Sequence, residues 1–266
     1  MTTLRFFQVD AFADRPFTGN PAAVMPLDRW LDDATLQAIA AENNLSETAF
    51  LVRDASGAAD YELRWFTPAA EVLMCGHATL ASGHVMMAAG DRLRFATRRA
   101  GVLEVSREGD GYALSLPAWG PSPKPLPEIV AALELAPEAV EASLWHEHGY
   151  AVIVLRDEAA VRACAPDMRA LAREGDRLTI VTAPGTTATV VSRAFAPAKG
   201  IDEDPVTGSA HAVIVPYWAD RLGVTRFDAF QASARGGRLA CHLDGDRVVL
   251  GGRCVTVIEG TMRLPV

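Results

Sequence analysis

The sequence predicts an α+β protein built from two similar halves, and three observations predict it. Short strand-like runs outnumber helical ones along all 266 residues. A proline-rich stretch interrupts the middle of the chain. A pair of local motifs recurs about half a chain later, in the same order.

In chain order, residues 4–10 and 22–26 read as strands around the turn-rich Arg15-Pro-Phe-Thr-Gly-Asn-Pro21. Asp32 or Asp33 is placed to cap a helix through Leu36, Ile39 and Ala40 that ends near Asn43-Asn44. Strands are expected at 47–53 and 60–66, divided by Asp54-Ala-Ser-Gly57, and a second helix at 77–89. Strands at 92–97, 101–107 and 111–116 follow, the last two joined by the tight turn Gly109-Asp110-Gly111. Leu116 to Pro127 carries five prolines in twelve residues, which rules out a helix or a central strand. It reads as a semi-rigid connector and the domain boundary. Beyond it, strands are expected at 149–155, 178–183 and 188–195, a helix at 208–221, and strands at 227–233, 238–243, 246–250 and 254–264.

The repetition is specific. Trp65-Phe-Thr-Pro68 precedes Met74-Cys-Gly-His-Ala78 and a helix; Ala194-Phe-Ala-Pro197 precedes Val206-Thr-Gly-Ser-Ala210 and a helix. The two Phe-x-Pro elements lie 129 residues apart and the two helix-start glycines 132 apart. Offsets so near half the length imply a duplication into two like domains, not a solenoid of short repeats.

Composition narrows the function classes. At 50% hydrophobic and 22% charged the chain is ordinary globular material, long enough for one large domain or two moderate ones. A formal net charge of −8 with no cationic run beyond Arg98-Arg99 argues against nucleic acid. No apolar run approaches the ~18 residues of a membrane span, and the N-terminal residues show no secretory pattern. Cys75, Cys164, Cys241 and Cys254 share no metal or redox spacing, so reduced thiols in a cytoplasmic setting are expected. The six histidines form no ligand motif; His146 and His148 alternate on an expected strand as a surface pair, and no metal is expected.

Chemistry concentrates in three places. Cys75-Gly76-His77 and Thr207-Gly208-Ser209 each set a glycine at a helix start, where backbone N–H groups and the helix dipole favour an anion. Taken singly, each glycine does no more than allow a tight strand-to-helix turn. As an equivalent pair, facing one cleft, they suit a small carboxylate. Glu47, between a helix end and an apolar strand, is either a solvated strand-end charge or a general acid–base. Asp204, ahead of the second glycine, is either a turn-forming aspartate before Pro205 or part of the site.

Five ordered motifs give a resemblance. Asp10 to Pro21 with Pro16-Phe-Thr-Gly-Asn-Pro21, Asn44-Leu-Ser-Glu-Thr-Ala-Phe50, Phe66-Thr-Pro68 with Gly76-His-Ala-Thr79, Glu203-Asp-Pro-Val-Thr-Gly-Ser-Ala210 and Arg235-Gly-Gly237 span nearly the whole chain. Together they resemble the PhzF-like family of phenazine biosynthesis proteins, within the diaminopimelate epimerase-like superfamily. The resemblance implies two pseudo-symmetric domains, each an antiparallel sheet or barrel wrapped around a central helix. It implies domains at 1–118, completed by a last strand near 258–266, and at 127–257, with 117–127 as linker. Their central helices would be 77–89 and 208–221. Glu47, His77, Asp204 and Ser209 match the family's catalytic positions, Glu47 as the proton-moving carboxylate. Asn20, Cys75, Gly76, Thr207, Gly208, Gly236 and Gly237 match substrate-contacting positions. No cofactor is implied; a small anionic metabolite is, and so is a homodimer.

Two departures bear on the substrate. Where phenazine enzymes usually read Gly-His-Pro-Thr, this chain has Ala78, so the phenazine substrate is not carried over. Cys75 also resembles one thiol of the two-cysteine epimerases, but its counterpart is Thr207, whose hydroxyl is too weak an acid to replace a thiolate. The expectation is therefore a cofactor-independent proton-shift isomerase. A binding protein without turnover and a Cys75-dependent epimerase are the alternatives.

Overall fold

The computed structural model describes residues 2–88 and 90–264. Position 89, the expected end of the second helix, and 265–266, the expected end of the last strand, lie outside them. Contacts group the chain into a first unit, Met1–Ser115 with Gly251–Val266, and a second unit, Leu116–Leu250.

The first unit contains β1 (Thr2–Ala11), β2 (Asn20–Pro26), α1 (Asp33–Asn43), β3 (Glu47–Arg53), β4 (Tyr61–Phe66), β5 (Glu71–Val72), α2 (Gly76–Met86), β6 (Arg92–Thr97), β7 (Val102–Glu108) and β8 (Gly111–Pro117). The second contains β9 (Ser122–Pro123), α3 (Pro127–Ala132), β10 (Val140–His146), β11 (Tyr150–Leu155), α4 (Glu158–Ala163), α5 (Met168–Arg173), β12 (Leu178–Pro184), β13 (Val190–Ala196), β14 (Ile201–Asp204), α6 (Gly208–Leu222), β15 (Arg226–Gln231), β16 (Gly237–Asp244) and β17 (Arg247–Gly252). The chain then returns to the first unit as β18 (Cys254–Leu264), antiparallel to β1 along its full length.

Within each unit the strands pair in one repeated pattern. β2 runs parallel to β3, β3 antiparallel to β4, and β4 parallel to β6. β11, β12, β13 and β15 repeat that series. Most pairings are antiparallel as expected; the parallel ones arise where a helix carries the chain back to start a strand in the same direction. Registers correspond as well: Thr48 faces Phe66 in one unit, and Thr179 faces Phe195 in the other.

Each unit encloses one helix. All eight residues from Gly76 to Gly83 are buried, so the first two turns of α2 have no solvent face. It approaches β7 so closely that a Cβ on Gly83 would lie 2.5 Å from Val105 Cγ1. In α6, Gly208, Ala210–Val215, Trp218 and Ala219 are buried. Pro216 lies inside this helix and cannot donate to the Ala212 carbonyl. The backbone N–H of Trp119 fills the gap at 2.9 Å. The proline-rich segment is therefore docked on the second unit, with Ala118 N–H on Asp246 O and Lys124 N–H on Ser143 O.

Several elements were not legible as such. The acidic run Ile201–Asp204, for which no strand is expected, forms β14, paired to β13, and β5 and β9 are two-residue strands. The strand carrying His146 ends there, and His148 lies in the following turn against Trp119.

Candidate active site

Asn20, Glu47, Cys75 and His77 come together inside the first unit. Asn20 starts β2 directly after Gly19, whose φ of +66° and absent Cβ are both required: a Cβ there would lie 2.2 Å from Ala11 O. The loop before it is tied down by Phe17 N–H donating to Asp10 Oδ2 at 2.7 Å. Glu47 opens β3, one turn after Asn44 ends α1 in the left-handed conformation. Cys75 is the residue before the first turn of α2, and His77 is the second residue inside it.

His77 is the hub. Its Nδ1 lies 3.1 Å from Asn20 Nδ2 and 3.5 Å from Cys75 Sγ. Its Nε2 faces Glu47 Oε2 at 3.1 Å, with side-chain exposures of 5% and 13% for the pair. The alignment across that gap is poor for a hydrogen bond, and both atoms lack another partner among the described residues. Burial works against the imidazolium, but the charge of the facing Glu47 carboxylate and the contacts of Cys75 and Glu47 with the ring nitrogens outweigh it, so the His77 pKa stands well above its ordinary value. Burial, with the Glu47 charge adding to it, pushes the Cys75 thiol up to about 11. At neutral pH Cys75 is thus a thiol.

Ligand-type atoms of Glu47, Cys75 and His77 all lie within 4.8 Å of one another. Glu47 and Cys75 address opposite nitrogens of one ring, however, and a single ion cannot meet both. The arrangement suits passing and holding a proton.

In the second unit, Thr207 is the residue before α6, and its side chain does not cap the helix. Its Oγ1 instead donates to Asp204 Oδ2 at 2.5 Å, and its N–H donates to Gln231 Oε1 at 2.8 Å. Gln231 also reaches Asp204 O at 2.7 Å. Ser209, the second residue of α6, interacts with the Tyr150 hydroxyl, which partly offsets the upward push of burial on that phenol. Gly236, at φ +65°, donates to Ser233 Oγ, which donates in turn to Pro205 O, so the Gly236-Gly237 turn is tied to the Asp204 loop. Gln231, Ser233 and Tyr150 escaped the sequence reading because they belong to no motif.

A family model described as phenazine biosynthesis-like protein matches residues 9–260. The chain belongs to this PhzF-like family. An uncharacterized isomerase of Pseudomonas aeruginosa is 50% identical over 98% of the chain and 99% of the relative. The human phenazine biosynthesis-like domain-containing protein is 37% identical over 97% and 99%. A PhzF-family crystal structure from Enterococcus faecalis superposes with a TM-score of 0.92 at 42% identity, covering 99% of this chain and all of that one. A hydroxyproline epimerase from Agrobacterium vitis, at 12% identity and a TM-score of 0.64, shares the fold. The chain is an isomerase-class enzyme of diaminopimelate epimerase-like fold. Among the described residues, no helix is long and apolar enough to cross a membrane.

Proposed function

We propose that this isomerase moves a proton between carbons of a small carboxylate-bearing metabolite, without a cofactor, using Glu47 as the single acid–base. The observation that carries the reading is the buried Glu47–His77 pair at 3.1 Å, beside a thiol that stays protonated. Glu47 takes a proton from a carbon next to an unsaturated or carbonyl system: the C–H bond breaks, its electron pair delocalises, and an O–H bond forms. The reverse transfer at a second carbon completes the shift, so nothing is oxidised or reduced. Asn20 and Cys75 hold the His77 ring from one side, leaving the other for Glu47. The Gly76 N–H, beside the Glu47 cluster, is proposed to hold the carboxylate or the developing enolate oxygen, and the Gly208 N–H is proposed as the corresponding anion donor of the second unit. Neither helix start has a side-chain cap competing for them. Asp204 and Ser209 take the role the resemblance gives, helping to place substrate and protons, with Thr207, Gly236 and Gly237 beside them. A cytoplasmic homodimer is proposed on the same footing.

The test is incubation with a metabolite pool in deuterated water, wild type against Glu47→Gln. Deuterium should enter a small acid with the wild type and not with the variant. Equal labelling by Glu47→Gln removes the assignment, and no labelling by either favours a binding protein.

A further inference from the structure

Two buried side chains with no role in the proposed proton shift, Thr79 and His211, do the same work in the two units. Thr79 Oγ1 donates to the Cys75 carbonyl at 2.6 Å, and Thr79 N–H donates to the same oxygen at 3.3 Å. In α6, His211 Nδ1 contacts the Thr207 carbonyl at 2.8 Å, and His211 N–H donates to that oxygen at 3.3 Å. A carbonyl only accepts, so Nδ1 carries the proton and Nε2 is bare. Both side chains are fully buried. Both stand four residues after the residue that precedes the helix, and both bind its carbonyl more closely than the backbone does.

Back-bonding to the carbonyl four residues earlier is a common habit of buried Ser and Thr in helices. Ser82 does it on Ala78 O at 2.7 Å within α2. What separates Thr79 and His211 is the peptide they hold. The Cys75 and Thr207 carbonyls belong to the peptides that supply the N–H of Gly76 and of Gly208. In a trans peptide, C=O and N–H point in opposite directions, and no peptide bond among the described residues is cis. Drawing the carbonyl down the helix therefore turns the glycine N–H outward from the helix start. A peptide preceding glycine has little steric resistance to flipping, since glycine accepts either sign of φ. Hydroxyl and imidazole share nothing but a donor at the required place, so the donor is the common requirement of the two units.

We propose that Thr79 and His211 are positioning residues that lock the Cys75–Gly76 and Thr207–Gly208 peptides, fixing the direction of the two glycine N–H groups. The functional consequence rests on the proton-shift reading, in which each of those groups is the anion donor of its own unit. The lock itself is a statement about each unit alone. Burial drops the His211 pKa to about 4, so the ring stays neutral and keeps one tautomer across the physiological range.

The experiment uses full-length protein labelled with 15N-glycine, reading residual dipolar couplings of the Gly76 and Gly208 N–H vectors. Thr79→Val should displace the Gly76 vector and leave Gly208 in place, while Thr79→Ser restores it. His211→Phe should displace the Gly208 vector alone, and His211→Asn, which keeps a donor near Nδ1, should restore it. Ser82→Ala, the matched control within α2, should move neither. If a deuterium-labelled acid is found, Thr79→Val should label it roughly ten- to hundredfold more slowly, with Thr79→Ser near wild type. Unmoved vectors in Thr79→Val and His211→Phe, or a Thr79→Ser as displaced as Thr79→Val, would overturn the lock. Should the variants not fold, 15N spectra of wild-type His211 decide its half: an Nε2–H tautomer excludes the bond to Thr207. Glu47→Gln keeps both vectors under the proposal, so loss of the Glu47 assignment and loss of the lock give different results.

Discussion

The starts of α2 and α6 are the same piece of backbone furnished with different chemistry. Both have a glycine in the first turn, no side-chain cap, and a carbonyl held from four residues on. At α2 the residue before the glycine is a thiol, and a buried imidazole bridges it to a carboxylate. At α6 it is a threonine whose hydroxyl and N–H are both spent on Asp204 and Gln231. Among the described residues the frame is shared, and the cluster of thiol, imidazole and carboxylate belongs to one helix start. Under the proposed proton shift only the first of these helix starts would exchange a proton with carbon; at the second, Thr207 is engaged by Asp204 and Gln231.

The largest expected effect breaks the comparison at its active end. Glu47→Gln keeps the shape of the side chain and should lower proton exchange at least ~10²-fold, measured as deuterium incorporation at saturating acid. If the loss stays within a few-fold, the asymmetry has been assigned to the wrong atom.

The two helix-start histidines should give stability opposite pH dependences. His77 has a raised folded-state pKa, so its contribution is fully present below the ordinary histidine value and is lost as pH rises through the raised one. His211, at about 4 when folded, refuses a proton that the unfolded chain accepts between about 4 and 6.5. Stability falls as pH drops through that window, by up to about 3 kcal/mol, and levels off below it. Denaturant midpoints against pH check both: the acid-side slope should shrink in His211→Asn, and the loss at rising pH should shrink in His77→Asn.

Gly83→Ala probes how tightly the first unit grips its helix. The added methyl meets Val105 Cγ1 at 2.5 Å, and about 1–3 kcal/mol of destabilisation is expected from denaturant titration. Smaller still is Cys75→Ala, which should keep activity within a few-fold of wild type because the thiol is protonated where Glu47 is not replaced. Activity as low as that of Glu47→Gln would make Cys75 a base in an asymmetric pair. The smallest change is expected from Thr207→Cys. Thr207 is buried, and burial works against a thiolate at that position, so thiol alkylation at neutral pH should stay slow and no second base should appear.

Much of this was legible because the signals were local. Asp32 caps α1, accepting from Thr35 N–H, and Asn44 ends that helix in the left-handed region, so its bounds follow from side-chain chemistry alone. β3 and β6 fall at 47–53 and 92–97, where apolar runs meet turn residues. The six-residue helices α3, α4 and α5 are too short to show a period, and β14 pairs an acidic run that no strand pattern would select. At the site, motif order pointed to Glu47, His77, Cys75 and Asn20, which the fold gathers into one cluster. Gln231 is different: it lies 24 residues from Thr207, and only the β13–β15 pairing brings such positions together. Thr79 and His211 did carry a signal, a donor side chain four residues past each residue that precedes a helix-start glycine.

The ten-residue β1 finds its full antiparallel partner only in β18, at the far end of the chain. The second unit is in this sense an insertion between two parts of the first. On a ribosome adding about 5–20 residues per second, residues 116–250 are all synthesised before β18 emerges. The unit that begins the chain is thus the last to be completed. Until then one edge of β1 is open to other strands, a period of exposure that the order of synthesis builds into every copy.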